Sequence, residues 1–226
     1  MARHFVAASS QYLTRSGVPG SVTVYPITLS IWVRASASLA VNAFAGVLCN
    51  GPATGIAMAG KGAGGMPQTY AFGAAQSTAN ATVGFPVDTW AHLCAVVTSA
   101  DLTCYLNGAA KGVTTAAQTF PTLDRVLVGA FYVGGSLFTT MWDGDLAEFA
   151  IYTAALNDAE VALLAAGTPA SAVRAANLAA YYPLLGTTSP EPDVQGGTAL
   201  TLVNGPTPAP HPPLLSSAGG RMFQVF

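Results

Sequence analysis

The chain has 226 residues, 51% of them apolar and only 8% charged, with a formal net charge of −2 at pH 7. Eight Lys and Arg residues leave no clustered cationic footprint for nucleic acid or for an anionic membrane. No apolar run approaches the roughly 18 residues of a membrane span, and the length reads as one domain with a large core.

A typical soluble domain carries about a quarter charged residues, so this surface is built largely from Ala, Gly, Ser, Thr and Asn. The opening MARHFVAASS lacks the sustained apolar core of a secretory signal. That predicts a protein made and kept in a cytoplasm, or released from it by lysis.

Residues 5–14 carry apolar positions around Ser9, Ser10 and Gln11, and Pro19 sits in a turn between Gly17 and Gly20, which predicts a pair of short strands. In the segment 27–34, ITLSIWVR, Ile27, Leu29, Ile31 and Val33 alternate with Thr28, Ser30, Trp32 and Arg34. This is the clearest half-buried strand pattern in the chain. Residues 44–49 read as another strand.

The glycine-rich stretch 51–65 contains GIAMAGKG at 55–62, close to a phosphate-binding loop. The chemistry rejects it. Gly62 stands where Ser or Thr must hold magnesium, and GAGGMP at 62–67 cannot continue the helix whose N-terminus would face the phosphates. A hairpin and its loop are expected instead. Residues 69–74 and 81–85 are predicted strands. The sequon Asn80-Ala81-Thr82 is read as chance in a chain without a secretory signal.

At 90–108 lies WAHLCAVVTSADLTCYLNG. Its runs 93–97 and 102–106 are rich in β-branched and aromatic residues, they flank the polar tetrapeptide 98–101, and Asn107-Gly108 adds a second turn signal. This is a hairpin. A four-residue loop pairs Ala95 with Cys104 and turns Cys94 to the opposite face, because side chains alternate along a strand. Cys49, Cys94 and Cys104 cannot all pair internally and are read as reduced core residues.

Residues 125–131 form the next predicted strand, ending in a Gly134-Gly135 turn; 138–142 lead into Asp143-Gly144 and a strand over 146–152. Asn157 and Glu160 have capping-box spacing, Val161, Leu163 and Leu164 give an apolar side, and Gly167 with Pro169 stops the helix. The helix is expected against one edge or end of the fold.

These segments resemble a family. Trp-x-His-Leu at 90–93, a valine-rich strand, a short turn and Tyr-x-Asn-Gly at 105–108 resemble the central hairpin of laminin-G-like domains of the concanavalin-A-like superfamily. Ser30, Trp32 and Val33 match its S-x-W-V strand, and FPVDTW at 85–90 resembles the turn into the hairpin. The run DGDLAEFAIYTAALNDAEVALLAAG at 143–167 is similar to the closing signature of these domains. The resemblance implies an all-β fold, a two-sheet antiparallel jelly-roll β-sandwich with one short helix over residues 1–205.

Segments 178–184, 193–197 and 200–205 resemble the part that usually opens such domains, yet here they come last. Both termini are then expected at one sheet. The proline-rich tail, 206–226, begins PTPAPHPP, which must run extended for want of amide donors. It is expected to pack on the domain or a partner, with the apolar residues 221–226 free to pair or dock.

Chemistry is sparse. Asp143, Asp145 and Glu148 resemble the acidic strand of laminarinase-type jelly-roll glucanases, and retaining glycosidases need two carboxyls about 5–5.5 Å apart. Asp143 replaces the motif's glutamate, and Gly144 places it before the strand, so no catalytic residue is assigned. His92 occupies a hairpin position of the family and is read as a hydrogen-bonded structural histidine. No Cys-x-x-Cys or His-x-x-x-His spacing suggests zinc. Because many laminin-G-like domains hold calcium at the sandwich rim, the resemblance implies Asp124, Asp143, Asp145 and Asp193 as its donors here. No other cofactor is implied. Trp142, Tyr132 and Tyr70 are the aromatics expected to stack on a sugar.

The expected function is that of a non-catalytic structural or decoration protein of a bacteriophage particle, a homo-oligomer contacting other virion proteins. A surface poor in charge associates readily, and a packed position in a particle uses that property. The alternatives are a carbohydrate-binding adhesion module recognising a surface glycan during host attachment and, third, a glycoside hydrolase.

Overall fold

A computed structural model describes residues 1–50, 54–62, 64–72, 76–133, 136–137, 140–186 and 189–215. Runs of β-branched, aromatic and small residues broken by Gly, Asn and Pro set its strands. The first seven are β1 (Ala2–Phe5), β2 (Tyr12–Ser16), β3 (Ile27–Ala35), β4 (Phe44–Cys49), β5 (Gly55–Ala59), β6 (Gln68–Phe72) and β7 (Gln76–Asn80). The central hairpin supplies β8 (Ala91–Val97) and β9 (Asp101–Leu106). Then come β10 (Ala110–Thr115), β11 (Arg125–Val128), β12 (Tyr132–Val133), β13 (Ser136–Leu137) and β14 (Gly144–Tyr152). Helix α1 (Asp158–Ala165) precedes β15 (Leu178–Tyr182), β16 (Thr201–Val203) and β17 (Thr207–Ala209). None of the described helices is long and apolar enough to cross a membrane.

Apart from the short β12-β13 pair, the strands form a jelly-roll sandwich of two antiparallel sheets. One has the order β10-β9-β8-β3-β14-β1-β17, with β15 also on β14; the other runs β16-β2-β11-β4-β5-β6-β7. Between them, Ile27, Leu29, Ile31 and Val33 pack in one core with Leu48, Ile56, Met58, Val126 and Val128. The alternation in β3 therefore points as its sequence predicts, and Trp32 turns to the outer face. The hairpin register also follows from its loop. Ala95 lies opposite Cys104, with Cys104 in the core between the sheets and Cys94 in the cluster beneath the helix. All three cysteines are free and buried. Burial pushes the Cys49 thiol up to about 12 and the Cys104 thiol to about 11, so both stay protonated.

Strand β14 brings the termini together. One side of it pairs with β3, while the other takes β1 along residues 144–146 and β15 along 149–152. β17 then pairs with β1. The buried Arg3 fastens this edge, its Nε donating to Glu191 Oε1 at 2.5 Å and its Nη1 to the Pro206 carbonyl at 2.9 Å. Within β14, the interval from Ala147 to Ala150 faces the shorter one from Trp32 to Ser30, and Glu148 has φ 58°. That β-bulge turns an otherwise core-facing side chain outward.

The capping box is complete: the Glu160 amide donates to Asn157 Oδ1 at 3.0 Å, and the Asn157 amide donates to Glu160 Oε2 at 2.8 Å. Val161 and Leu164 are buried while Leu163 is 50% exposed. Contrary to expectation, the helix lies on the outer face of the eight-stranded sheet, not at an edge or end. Cys94, Val96, Tyr105 and Tyr152 give that face the apolar surface that receives it.

Other expectations also change. The strands near the N-terminus fall in different sheets and do not pair with each other. The polar segment Gln76–Asn80, not 81–85, is the edge strand, and Ala110–Thr115 adds a strand that the sequence reading omits. The strand starting at Arg125 ends at Val128. The Gly134-Gly135 turn, Phe138, Ala74 and residues 221–226 lie outside the described residues.

Candidate functional site

Side chains alternate along β4, β5, β6 and β11, so half of them leave the core for the outer face of the seven-stranded sheet. There Phe44, Val47, Ala57, Tyr70 and Leu127 join Phe131 in a separate apolar cluster. Phe131 lies 4.7 Å from Phe44 and 4.9 Å from Phe72, and Phe72 stacks on Tyr70 at 5.3 Å with planes 10° apart. Tyr12, Phe72 and Tyr132 are partly buried members of this face.

Its polar margin is defined as well. The Arg125 guanidinium lies 4.3 Å from the centre of the Tyr132 ring and is paired with Asp124 at 2.7 Å. The Tyr70 hydroxyl lies between Gln68 Oε1 and Asn42 Oδ1, the latter at 2.9 Å, and burial raises its pKa. Phe44, Tyr70 and Phe131 are 3%, 6% and 2% exposed and form the backing of this face, so the rings open to a ligand are the partly buried Tyr12, Phe72 and Tyr132, with amide and guanidinium groups at the margin able to orient a polar ligand.

Tyr70 and Tyr132, singled out from sequence, therefore share one face, but Tyr70 is 6% exposed and backs the face, and only Tyr132 is partly open. Trp142 does not share it. It is 0% exposed in the core between the sheets, edge-on to Phe85 at 6.2 Å. A Cβ at Gly60 would lie 2.6 Å from its ring. The expectation that Trp142 stacks on a ligand is corrected by this burial. Phe72 and Phe131 were missed; the two-residue spacing of Tyr70 and Phe72 was the available signal, since it places both rings on one side of a strand.

The acidic residues are each held by local donors. Asp124 pairs with Arg125. Asp143 accepts from Ser36 Oγ, from Ser38 Oγ at 2.6 Å and from the Ala7 amide at 3.1 Å. Burial opposes its ionisation, but these donors and His4 outweigh it and hold the carboxyl below the usual range. Asp145, 1% exposed, is bonded by Arg34 Nε at 2.6 Å and lies 2.7 Å from His4 Nδ1. Asp193 accepts from the amides of Tyr181 and Gln195, each at 3.0 Å. Among the described residues, no group of three or more His, Cys, Asp or Glu side chains could hold a metal ion. The expected calcium set Asp124, Asp143, Asp145 and Asp193 is corrected accordingly: each carboxylate is committed to its own neighbours, and the four do not converge.

Asp143 lies before β14, as Gly144 required, bonded at the sheet end to Ser36 and Ser38. Asp145 and Glu148 share the outer side of β14 only through the bulge, and Glu148 is 6% exposed. Its Oε2 accepts from the Tyr181 hydroxyl and its Oε1 lies 2.9 Å from His211 Nε2. His92 is fully buried, with Nε2 2.8 Å from Ser30 Oγ. Burial pushes its pKa down to about 3, so the ring is neutral.

A laminin-G model described as the Concanavalin A-like lectin/glucanases superfamily matches residues 7–162. No curated protein matches the chain. A heptameric SAP-like pentraxin from Limulus polyphemus aligns with TM-score 0.54 and 15% identity, over 69% of this chain and 75% of that one. Domain 4 of AbnA, an extracellular arabinanase from Geobacillus stearothermophilus, solved with arabinotriose, gives TM-score 0.54 and 18% identity over 66% and 70%. The CBM40 of the Ruminococcus gnavus IT-sialidase, bound to α2,3-sialyllactose, gives 0.53 and 11% over 67% and 97%. At these identities the likeness is one of fold, that of lectin-like binding modules. With the two-sheet architecture and a match spanning well over half its length, the chain belongs to the Concanavalin A-like lectin/glucanases superfamily.

Proposed function

We propose that this protein is a non-catalytic carbohydrate-binding module whose ligand packs on the outer face of the seven-stranded sheet. The observation that carries the reading is the pair of partly open rings Phe72 and Tyr132, backed by the buried Tyr70 and Phe131, with Arg125 at the margin. A sugar ring has an apolar C–H face that lies on such rings and hydroxyls that bond to the polar margin. Fold neighbours solved with arabinotriose and with sialyllactose support it at the level of architecture. The non-catalytic part is supported by the commitment of Asp143, Asp145 and Glu148 to neighbouring donors.

The test is a broad glycan array followed by calorimetry on the best saccharide. Phe72→Ala and Tyr132→Ala should each weaken binding about tenfold or more, roughly 1.4 kcal/mol. No binding across the array, or affinity unchanged in both variants, would overturn the reading.

A second reading places the module in a bacteriophage particle, where it would serve host attachment among other virion proteins. It is supported by the charge-poor composition and by exposed Val24, Val41, Val83, Val87 and Val113, a surface suited to packing against copies or neighbours. Light scattering tests it: a defined oligomer is expected, and a monomer at every concentration removes this reading while leaving the saccharide face untouched.

A further inference from the structure

Past β17 the chain continues as Pro210-His211-Pro212-Pro213-Leu214-Leu215. Its prolines keep it extended, and it crosses the outer face of the eight-stranded sheet as a strap. Three contacts seat it. Leu214 packs with Trp32 and Trp90, the Leu215 amide donates to the Gly167 carbonyl at 2.8 Å, and His211 Nε2 lies 2.9 Å from Glu148 Oε1. A Cβ at Gly167 would stand 2.8 Å from the Pro213 carbonyl oxygen, so the strap rests directly on the turn after α1. The first two contacts are indifferent to pH, whereas the third joins two ionisable groups.

The hydrogens of that third contact can be counted from its acceptors. His211 Nδ1 lies 3.0 Å from the Pro212 carbonyl oxygen; a carbonyl only accepts, so Nδ1 carries a hydrogen. Glu148 Oε2 accepts from the Tyr181 hydroxyl. Burial, and then Glu148 beside it, push that phenol up and keep it a donor. One further hydrogen must lie between His211 Nε2 and Glu148 Oε1, shared by the pair whichever atom holds it. If it leaves, a ring lone pair faces a carboxylate oxygen at hydrogen-bond distance or, in the other tautomer, the Pro212 carbonyl. Glu148 has little freedom to withdraw, since it is 6% exposed and fixed at φ 58° in the β14 bulge. The strap has more, with Leu215 at its end 48% exposed.

We propose that this shared proton latches the C-terminal strap: while the pair holds it, residues 211–215 stay on the sheet, and when it is lost they lift away and uncover Trp32 and Trp90. The strap is then closed on the acid side and open on the alkaline side of about pH 5 to 8, the range in which imidazole ordinarily changes charge. The hinge falls at Pro210. Before it, β17 pairs with β1 and Arg3 Nη1 donates to the Pro206 carbonyl at 2.9 Å, so the chain up to Ala209 stays in place. Other ionisable groups face this region from the strands beneath. His92 of β8 lines the same pocket as Glu148 and is kept neutral by burial, titrating only at about 3. Further along β14, Asp145 is held by Arg34 Nε at 2.6 Å with His4 Nδ1 2.7 Å away.

The experiment follows hydrogen exchange of the Leu215 amide in the full chain by NMR at pH 5.5 and pH 8, each rate set against that of an unstructured peptide at the same pH. Protection in the wild type should fall about tenfold or more between the two values, as a local opening without global unfolding. Glu148→Gln is the decisive control. Its amide can donate to a bare Nε2 while its carbonyl accepts from Tyr181, so every group is paired without the extra proton. Protection in this variant should agree within about twofold at the two values. His92, Asp145 and His4 are left in place, so a pH effect arising from them would persist in it. His211→Ala should give the low protection of the open strap at both values. Wild-type protection equal at the two values, a fall that persists in Glu148→Gln, or a Glu148→Gln strap unprotected throughout would each overturn the proposal. None of these outcomes bears on whether Phe72 and Tyr132 bind glycans.

Discussion

Phe72 lies against Phe131 with ring centres 4.9 Å apart and planes 26° from parallel, one ring partly open to solvent and the other 2% exposed. The contact joins a ligand-facing group to a group that supports the sheet. Phe131→Ala leaves a cavity and should cost about 3–5 kcal/mol, whereas Phe72→Ala loses part of one ring's burial, about 1 kcal/mol. Urea unfolding of both variants checks this. Equal large losses would make the whole face core and remove it as a binding surface.

His92 should make stability depend on pH. The unfolded chain takes up a proton near 6.5, and the folded chain refuses it until about 3. The unfolded state therefore binds more protons between these values, so stability is full above 6.5 and declines as pH falls towards 3. Urea midpoints at pH 7, 6 and 5 should fall in the wild type and flatten in His92→Gln. Asp143 begins to matter only lower, since its carboxyl is held below its ordinary 3.8. A wild-type midpoint constant from pH 7 to 5 would contradict a neutral, buried imidazole.

Gly112 lets β10 approach β7 at one side of the sandwich. A Cβ at this position would lie 1.7 Å from the Asn80 carbonyl oxygen, and nearby Thr114 Oγ1 donates to the Thr78 carbonyl at 2.8 Å. Gly112→Ala must push the strands apart and should cost about 1–3 kcal/mol. A calorimetric melting temperature lowered by roughly 2–4 °C per kcal/mol is expected. An unshifted melting temperature would show that the strands do not meet this closely.

The helix cap can be tested by paired substitutions. Asn157→Ala removes the acceptor of the Glu160 amide and should cost about 0.5–2 kcal/mol, while Asn157→Asp, an equally good cap, should stay within a few tenths. Thermal unfolding distinguishes them, and equal losses would place the effect elsewhere than in the cap.

What the sequence determined by itself was local or periodic. The outward turn of Trp32, the Ala95–Cys104 register and the Asn157–Glu160 cap follow from side-chain alternation, loop length and a three-residue spacing. The family-like late segments led to the expectation that both termini meet at one sheet, as β1 and β17 do, although β16 joins the other sheet. Weakly patterned strands escaped: Gln76–Asn80 and Ala110–Thr115 carry too few large apolar residues to announce themselves. Nor could the sequence tell an exposed aromatic from a buried one outside a strand, which is why Trp142 was misplaced and Phe131 missed. Only the tertiary structure decided the aromatic face, the separation of the four aspartates and the meeting of Glu148 with His211. Those contacts join residues dozens of positions apart, and their geometry depends on sheet order, on the bulge in β14 and on the path of the last segment. All three are properties of the packed chain, because burial is shared among elements that no local spacing connects.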